Sequence, residues 1–219
     1  MESFIINKGV KLTAVALPLL LISEHYKSRK GRWIFKPLAS TGFLISAIVN
    51  NSKGTDIMNS SHYNKSVILG LVLGAAGDVL LIPKSGFIYG LFSFLLGHIT
   101  LLYAFTLHGI DTTHATTALA ATTVTAGIVG RWLIPKIKDP VMKGAVVGYM
   151  LVISTMVVTA SASFPHAPLP RQQLIGALMF YLSDLFVARE EFAGKSKLNQ
   201  WIGLPLYYGG QILLASTLQ

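Results

Sequence analysis

Apolar residues fall in eight long blocks, parted by short polar connections. The blocks run roughly over residues 12–23, 34–49, 66–82, 87–107, 115–134, 141–162, 175–188 and 198–218. A helix needs about 17–25 mostly apolar residues to cross bilayer hydrocarbon. Most blocks meet that length, and the first, which is short, is expected to begin near Ile5. The pattern predicts an all-α membrane protein: an eight-helix transmembrane bundle forming one domain over residues 1–219, with no soluble appendage. No small-x-small cleavage site follows the first block, so it reads as an uncleaved span rather than a signal peptide.

Two blocks carry a carboxylate, Asp78 in the third and Asp184 in the seventh. An acid at mid-membrane costs about 2.5–3.5 kcal/mol even on lenient insertion scales, so such a residue points to function. A glycine stands eight residues before each acid, Gly70 and Gly176. That is a little over two helical turns, which puts glycine and acid on one face. The same interval separates Gly90 from His98 and Gly203 from Gln211, with Leu91 and Leu204 after the glycines. Pro37 and Pro140 are each expected to open a helix, and Phe87 and Phe192 trail the acids at nearly equal distance. These matches predict a four-plus-four tandem repeat, with halves of roughly residues 1–110 and 111–219. Repeats of even span number are related by an axis along the membrane normal, which would face the two acids across the bundle.

Composition agrees with a membrane protein. Only 12% of the 219 residues are charged and the mean hydropathy is +0.58, against about 25% charged in soluble domains. The net charge of +9 would suit a nucleic-acid partner, but its placement argues against one. Thirteen of the 18 basic residues lie at the odd-numbered connections, from Lys27 through Lys84 and Lys136 to Lys197. Lys8, Lys11, Lys53, Lys65 and Arg171 make up the other side. This positive-inside asymmetry places both termini outside, in a cell membrane that is expected to be a bacterial inner membrane. The absence of cysteine removes disulfides, thiolate nucleophiles and cysteine metal sites.

Helices three and seven run in the same direction, so Asp78 and Asp184 fall in their inner halves. Lys36, read as early in helix two, and Tyr149, early in helix six, reach the same depth, and His98 is the one histidine deep in a block. Two carboxyl groups held close share a proton, so one can donate it while the other carries charge. The competing reading is structural, with the acids paired to Lys36 or a tyrosine and His98 bridging helices by a hydrogen bond. Tyr207, Tyr208 and Gln211 are read as packing or support, Gly70 and Gly74 as a close-packing face, and Glu190, Glu191 and Lys195 as a solvated helix end. Residues 50–64 form the longest and most flexible connection. No second intramembrane histidine joins His98, and no nucleotide fingerprint occurs, so neither metal nor cofactor is expected.

Several runs carry a resemblance: Gly77-Asp78-Val-Leu-Leu-Ile82, Gly86-Phe87-x-x-Gly90-Leu-x-Ser-Phe94-x-x-x-His98, Lys36-Pro37, Gly176-Ala-x-x-Phe-x-x-Ser183-Asp184 and Tyr207-Tyr208-x-x-Gln211-x-Leu213. In this order, over nearly the whole chain, they resemble the YhhN-type lysoplasmalogenase family. The family often carries Ser shortly before the first Gly-Asp, where this chain has Ala75-Ala76; the resemblance supplies no hydroxyl beside Asp78. It implies an eight-span hydrolase that cleaves the vinyl-ether bond of lysoplasmalogens to a fatty aldehyde and glycerophosphoethanolamine or glycerophosphocholine. A vinyl ether opens by protonation at carbon, and the resulting oxocarbenium ion calls for one protonated and one ionised carboxyl group, as in glycosidases. Asp78 and Asp184 are then the catalytic pair. Lys36 would hold the head-group phosphate, and His98, Tyr149, Ser183, Tyr208 and Gln211 complete the expected substrate site. The expected partners are a lysophospholipid and membrane lipid. A proton-coupled transporter also uses paired intramembrane acids, and a structural or lipid-sensing protein is the third class.

Overall fold

The computed structural model describes residues 7–52 and 58–218. The expected helix start near Ile5, Lys53, and the middle of the 50–64 connection lie outside them. Eight α-helices follow in order: α1 (Lys8–His25), α2 (Arg29–Asn51), α3 (Met58–Leu80), α4 (Phe87–Thr106), α5 (Thr112–Leu133), α6 (Pro140–Ala162), α7 (Pro170–Ala188) and α8 (Lys197–Ala215). Each predicted block is a helix. Two boundaries differ from expectation. Pro37 lies inside α2 instead of opening it, because the Ser28 side chain accepts from the Gly31 N–H and starts the helix two turns earlier. The connection after α2 is shorter than read, since α3 already runs from Met58. Pro140 does open α6, behind an Asp139 cap, where its missing N–H leaves no bond unmade.

Five helices, α2 to α6, are long and apolar enough to cross a membrane, which makes this a multi-pass integral membrane protein. The eight expected spans are corrected to five on this measure. α1, α7 and α8 fall short because they carry Lys8, Lys11 and Glu24, then Arg171, Gln173 and Asp184, then Lys197, Asn199 and Gln211. Several of these polar side chains, Gln173, Asn199 and Gln211, are turned inward and buried. The bundle's outer surface shows the reverse, with Val15, Ile48, Ile88, Phe92, Val124, Ile128 and Leu151 exposed.

Consecutive helices pack as hairpins, α1 on α2, α3 on α4, α5 on α6 and α7 on α8. The halves then interlock, α2 against α8 and α4 against α6. Glycines set equivalent approaches in the two halves. A Cβ on Gly97 would meet the Gly70 carbonyl at 3.2 Å, and one on Gly210 the Gly176 carbonyl at 2.9 Å. One on Gly90 would lie 3.3 Å from the Gly77 carbonyl, and one on Gly203 3.9 Å from that of Ser183. α4 therefore crosses α3 at the same positions, counted from Asp78, at which α8 crosses α7 counted from Asp184. Such close backbone approach is what small residues permit.

Gly210→Ala tests this crossing, since its Cβ would also fall 3.2 Å from the Phe180 backbone nitrogen. Both obstacles are backbone, so the helices must part, and overpacking of this kind costs about 1–3 kcal/mol. The unfolding midpoint in detergent should drop. Gly144→Ala, with nothing within 4 Å of its Cβ, should leave it unchanged; equal effects would refute the close approach.

Candidate functional site

α2 and α8 bring partners to Asp78, while α4 and α6 bring them to Asp184. Lys36 and Ser40 lie four residues apart on one face of α2. The Lys36 ammonium stands 3.4 Å from Asp78 Oδ1, and the Ser40 hydroxyl donates to Oδ2 at 2.6 Å. The Tyr208 hydroxyl approaches the same oxygen at 3.4 Å and the Lys36 carbonyl at 3.3 Å. Asp78 is buried, and the Lys36 side chain is 11% exposed. A carboxylate so placed needs its cation, because an uncompensated buried charge is costly.

Asp184 has a different shell. His98 Nε2 and Tyr149 Oη stand 2.8 Å from Asp184 Oδ2 and 2.9 Å from each other. His98 Nδ1 lies 3.3 Å from Met156 Sδ. Nδ1 thus faces a group that can accept but not donate. No hydrogen bond joins the two carboxyl groups among the described residues; Asp78 meets an ammonium and Asp184 an imidazole and a phenol.

Both acids line one cavity of about 250 Å³, together with Lys36, Tyr149, Ser183 and Tyr207. Its remaining wall is mostly apolar, and Glu190, Glu191 and Asn199 border it at the end of the bundle that carries most of the basic residues. Glu190 is thus not free in solvent: its carboxylate accepts from the Asn199 amide at 2.6 Å. Glu191 and Lys195 are exposed, as expected. The Ser183 hydroxyl is committed to the Phe180 carbonyl at 2.7 Å. His98, Tyr208 and Gln211 are buried behind the cavity and do not line it. The Tyr207 hydroxyl lies close to Asp78 and Gln211 but meets hydrogen-bond geometry with neither, and the Gln211 amide has no partner among the described residues. Gly74 faces these two side chains, where a Cβ would crowd both. At the opposite end, Tyr63, Gln173, Ser163 and Thr217 fill the bundle with a buried hydrogen-bonded network. Among the described residues, no cluster of three or more His, Asp or Glu could hold a metal ion.

The profile of a family described as the YhhN family matches residues 31–218, most of the chain. The chain belongs to the YhhN family. It is also similar to a lysoplasmalogenase homolog of Dictyostelium discoideum, at 33% identity over 79 residues. That match covers 32% of this chain and 26% of the relative, so the chain spans about a quarter of the curated relative it matches. No solved structure matches. In this YhhN member the hydroxyl beside Asp78 comes from Ser40, a residue that sequence reasoning passed over. Its position one turn beyond Lys36 was the available signal. Tyr207, read as packing or support, packs in the core against Phe94 and Phe180 and also lines the cavity.

Proposed function

We propose that this protein hydrolyses the vinyl-ether bond of lysoplasmalogens, releasing a fatty aldehyde and glycerophosphoethanolamine or glycerophosphocholine. The observation that carries the reading is the pair of acids on one largely apolar cavity, Asp78 buried beside Lys36 and Asp184 half-buried beside His98 and Tyr149. Family membership and the lysoplasmalogenase homolog support it.

Asp184 is the proton donor in this reading. Its proton passes to the β-carbon of the vinyl ether, the C=C electron pair forms the new C–H bond, and the α-carbon becomes an oxocarbenium ion. The charge faces the newly formed Asp184 carboxylate and that of Asp78, so it is stabilised where it develops. Lys36 lines the cavity and turns part of its charge to the head-group phosphate as that group enters. Water then adds to the α-carbon and gives its proton to a carboxylate. The hemiacetal collapses as its hydroxyl proton leaves, the C–O bond to glycerol breaks, and the glycerol oxygen takes up a proton. His98 and Tyr149 act through Asp184, and Tyr208 and Ser40 through Asp78. Gln211 supports the cavity wall through Tyr207. The same reading takes the two halves, roughly residues 1–110 and 111–219, as copies of one unit, in a bacterial inner membrane with both termini outside. The packed opposite end favours hydrolysis over proton-coupled transport, which needs access to both sides.

Purified protein in detergent, given a synthetic lysoplasmalogen, should release fatty aldehyde with multiple turnovers. Absence of aldehyde from a folded preparation would remove the hydrolase reading and return transport to first place.

A further inference from the structure

The two halves of the bundle differ most clearly in the packing of α5. α1 packs against α8, and by the equivalence of the halves α5 should pack against α4. It makes no comparable contact there, and it is the least buried of the five spanning helices. α5 turns instead to α6 and to the π-helical turn Arg189–Ala193. The apolar interior divides accordingly. Most of the bundle shares one core, while Leu133, Ile137 and Val146 form a second cluster with Val129, Met150, Phe192 and their neighbours. The cavity lies between them: Leu91 and Phe94 of the main core line it on one side, and Val129, Leu133, Met150 and Phe192 of the small cluster on the other.

A seam between two separately packed clusters opens at less cost than one continuous core, because few interlocked side chains must part. The volume demands an opening. About 250 Å³ falls below the roughly 300–1,000 Å³ of pockets that enclose drug-sized ligands. The glycerol and vinyl ether fit such a space, but the length of a lipid chain does not. Leu91, Val129 and Met150 are only half-buried, so the seam reaches the lipid-facing surface.

We propose that the hydrocarbon chain of the substrate lies in this seam, entering from the bilayer between α4 and α5 along Leu91, Val129 and Met150. This assignment rests on the lysoplasmalogen reading of the same cavity. It orients the substrate: the reacting double bond sits at the acids, the head group points to the end bordered by Glu190 and Glu191, and the chain leaves sideways. Met150 suits the role, since its unbranched thioether adapts to an irregular occupant.

The test compares lysoplasmalogens of long and very short alkenyl chain. Val129→Trp should lower the long-to-short ratio of kcat/KM by about tenfold or more, the effect of losing roughly two buried methylenes. Leu151→Trp places the same bulk on the exposed face of α6 and should keep the wild-type ratio. Val129→Ala, which opens the seam and keeps the fold if the tryptophan does not, should raise the relative rate of a branched chain. A ratio unmoved by both Val129 variants, or lowered equally by Leu151→Trp, overturns the proposal. A second arm reads binding alone: a lysophospholipid with a photoreactive group on its first methylenes should label the segments around Val129 and Met150. Labelling confined to outward positions such as Leu151 overturns the chain site. Absence of turnover in the wild type would overturn the hydrolase reading, and the photolabel would still decide where a lipid chain binds.

Discussion

Asp184→Asn is expected to fold and to lose at least about 10²–10⁴-fold in kcat, the usual contribution of general acid catalysis. The amide keeps the shape of the carboxyl group. With the amide nitrogen in the place of Oδ2, its two N–H groups can donate to His98 Nε2 and Tyr149 Oη, so the three-way contact at 2.8–2.9 Å persists. Only the transferable proton is lost. Asp78→Asn should cost a similar factor for the opposite reason, because it removes a negative charge that faces the developing cation. Both carboxyl groups serve one transition state, so the losses should not add. The double variant should be little worse than the worse single one. The measurement is steady-state turnover of a lysoplasmalogen by purified variants shown to be folded. Near-normal kcat in either folded variant would return that acid to a structural role.

Lys36→Met is expected to be the more damaging change for the fold. It leaves Asp78 buried without its cation, and breaking a buried pair from one side costs about 3–5 kcal/mol. The Ser40 and Tyr208 hydroxyls remain, but hydroxyl donors do not cancel a charge. Asp78→Asn placed on top of Lys36→Met should restore most of the stability and none of the activity. Thermal unfolding in detergent reads the first effect and aldehyde release the second. An unchanged midpoint in Lys36→Met would show that the pair contributes little to the fold. A change confined to KM would leave Lys36 as a head-group contact alone.

Much of the architecture was legible in the amino-acid order. Block length located all eight helices, because a polar backbone in hydrocarbon has little choice but to be helical. The glycine-to-acid interval of eight was legible for the same reason, as helical periodicity alone puts such residues on one face. Each glycine at that spacing sits where a neighbouring backbone approaches, but which helix approaches emerged only from the packing. Boundaries were less legible. Pro37 looks like a helix start, but a capped first turn at Ser28 outweighs the one hydrogen bond a proline removes inside a helix.

What only the tertiary structure decided is which groups meet each acid. Lys36, read as a phosphate ligand or as a structural partner of an acid, stands 3.4 Å from Asp78. His98 and Tyr149, 51 residues apart, prove to serve Asp184 together. Hydropathy and periodicity report which way a side chain faces, not which partner from another helix meets it there. The partners depend on helix rotation and crossing, set by packing across the whole bundle. The two halves look alike along the chain, yet α1 packs on α8 while α5 stands away from α4. The sequence by itself determined a helical membrane bundle with two acids inside it. Long-range packing decided that one acid meets Lys36, that the other meets His98 and Tyr149, and that the cavity both acids line borders a separate apolar cluster.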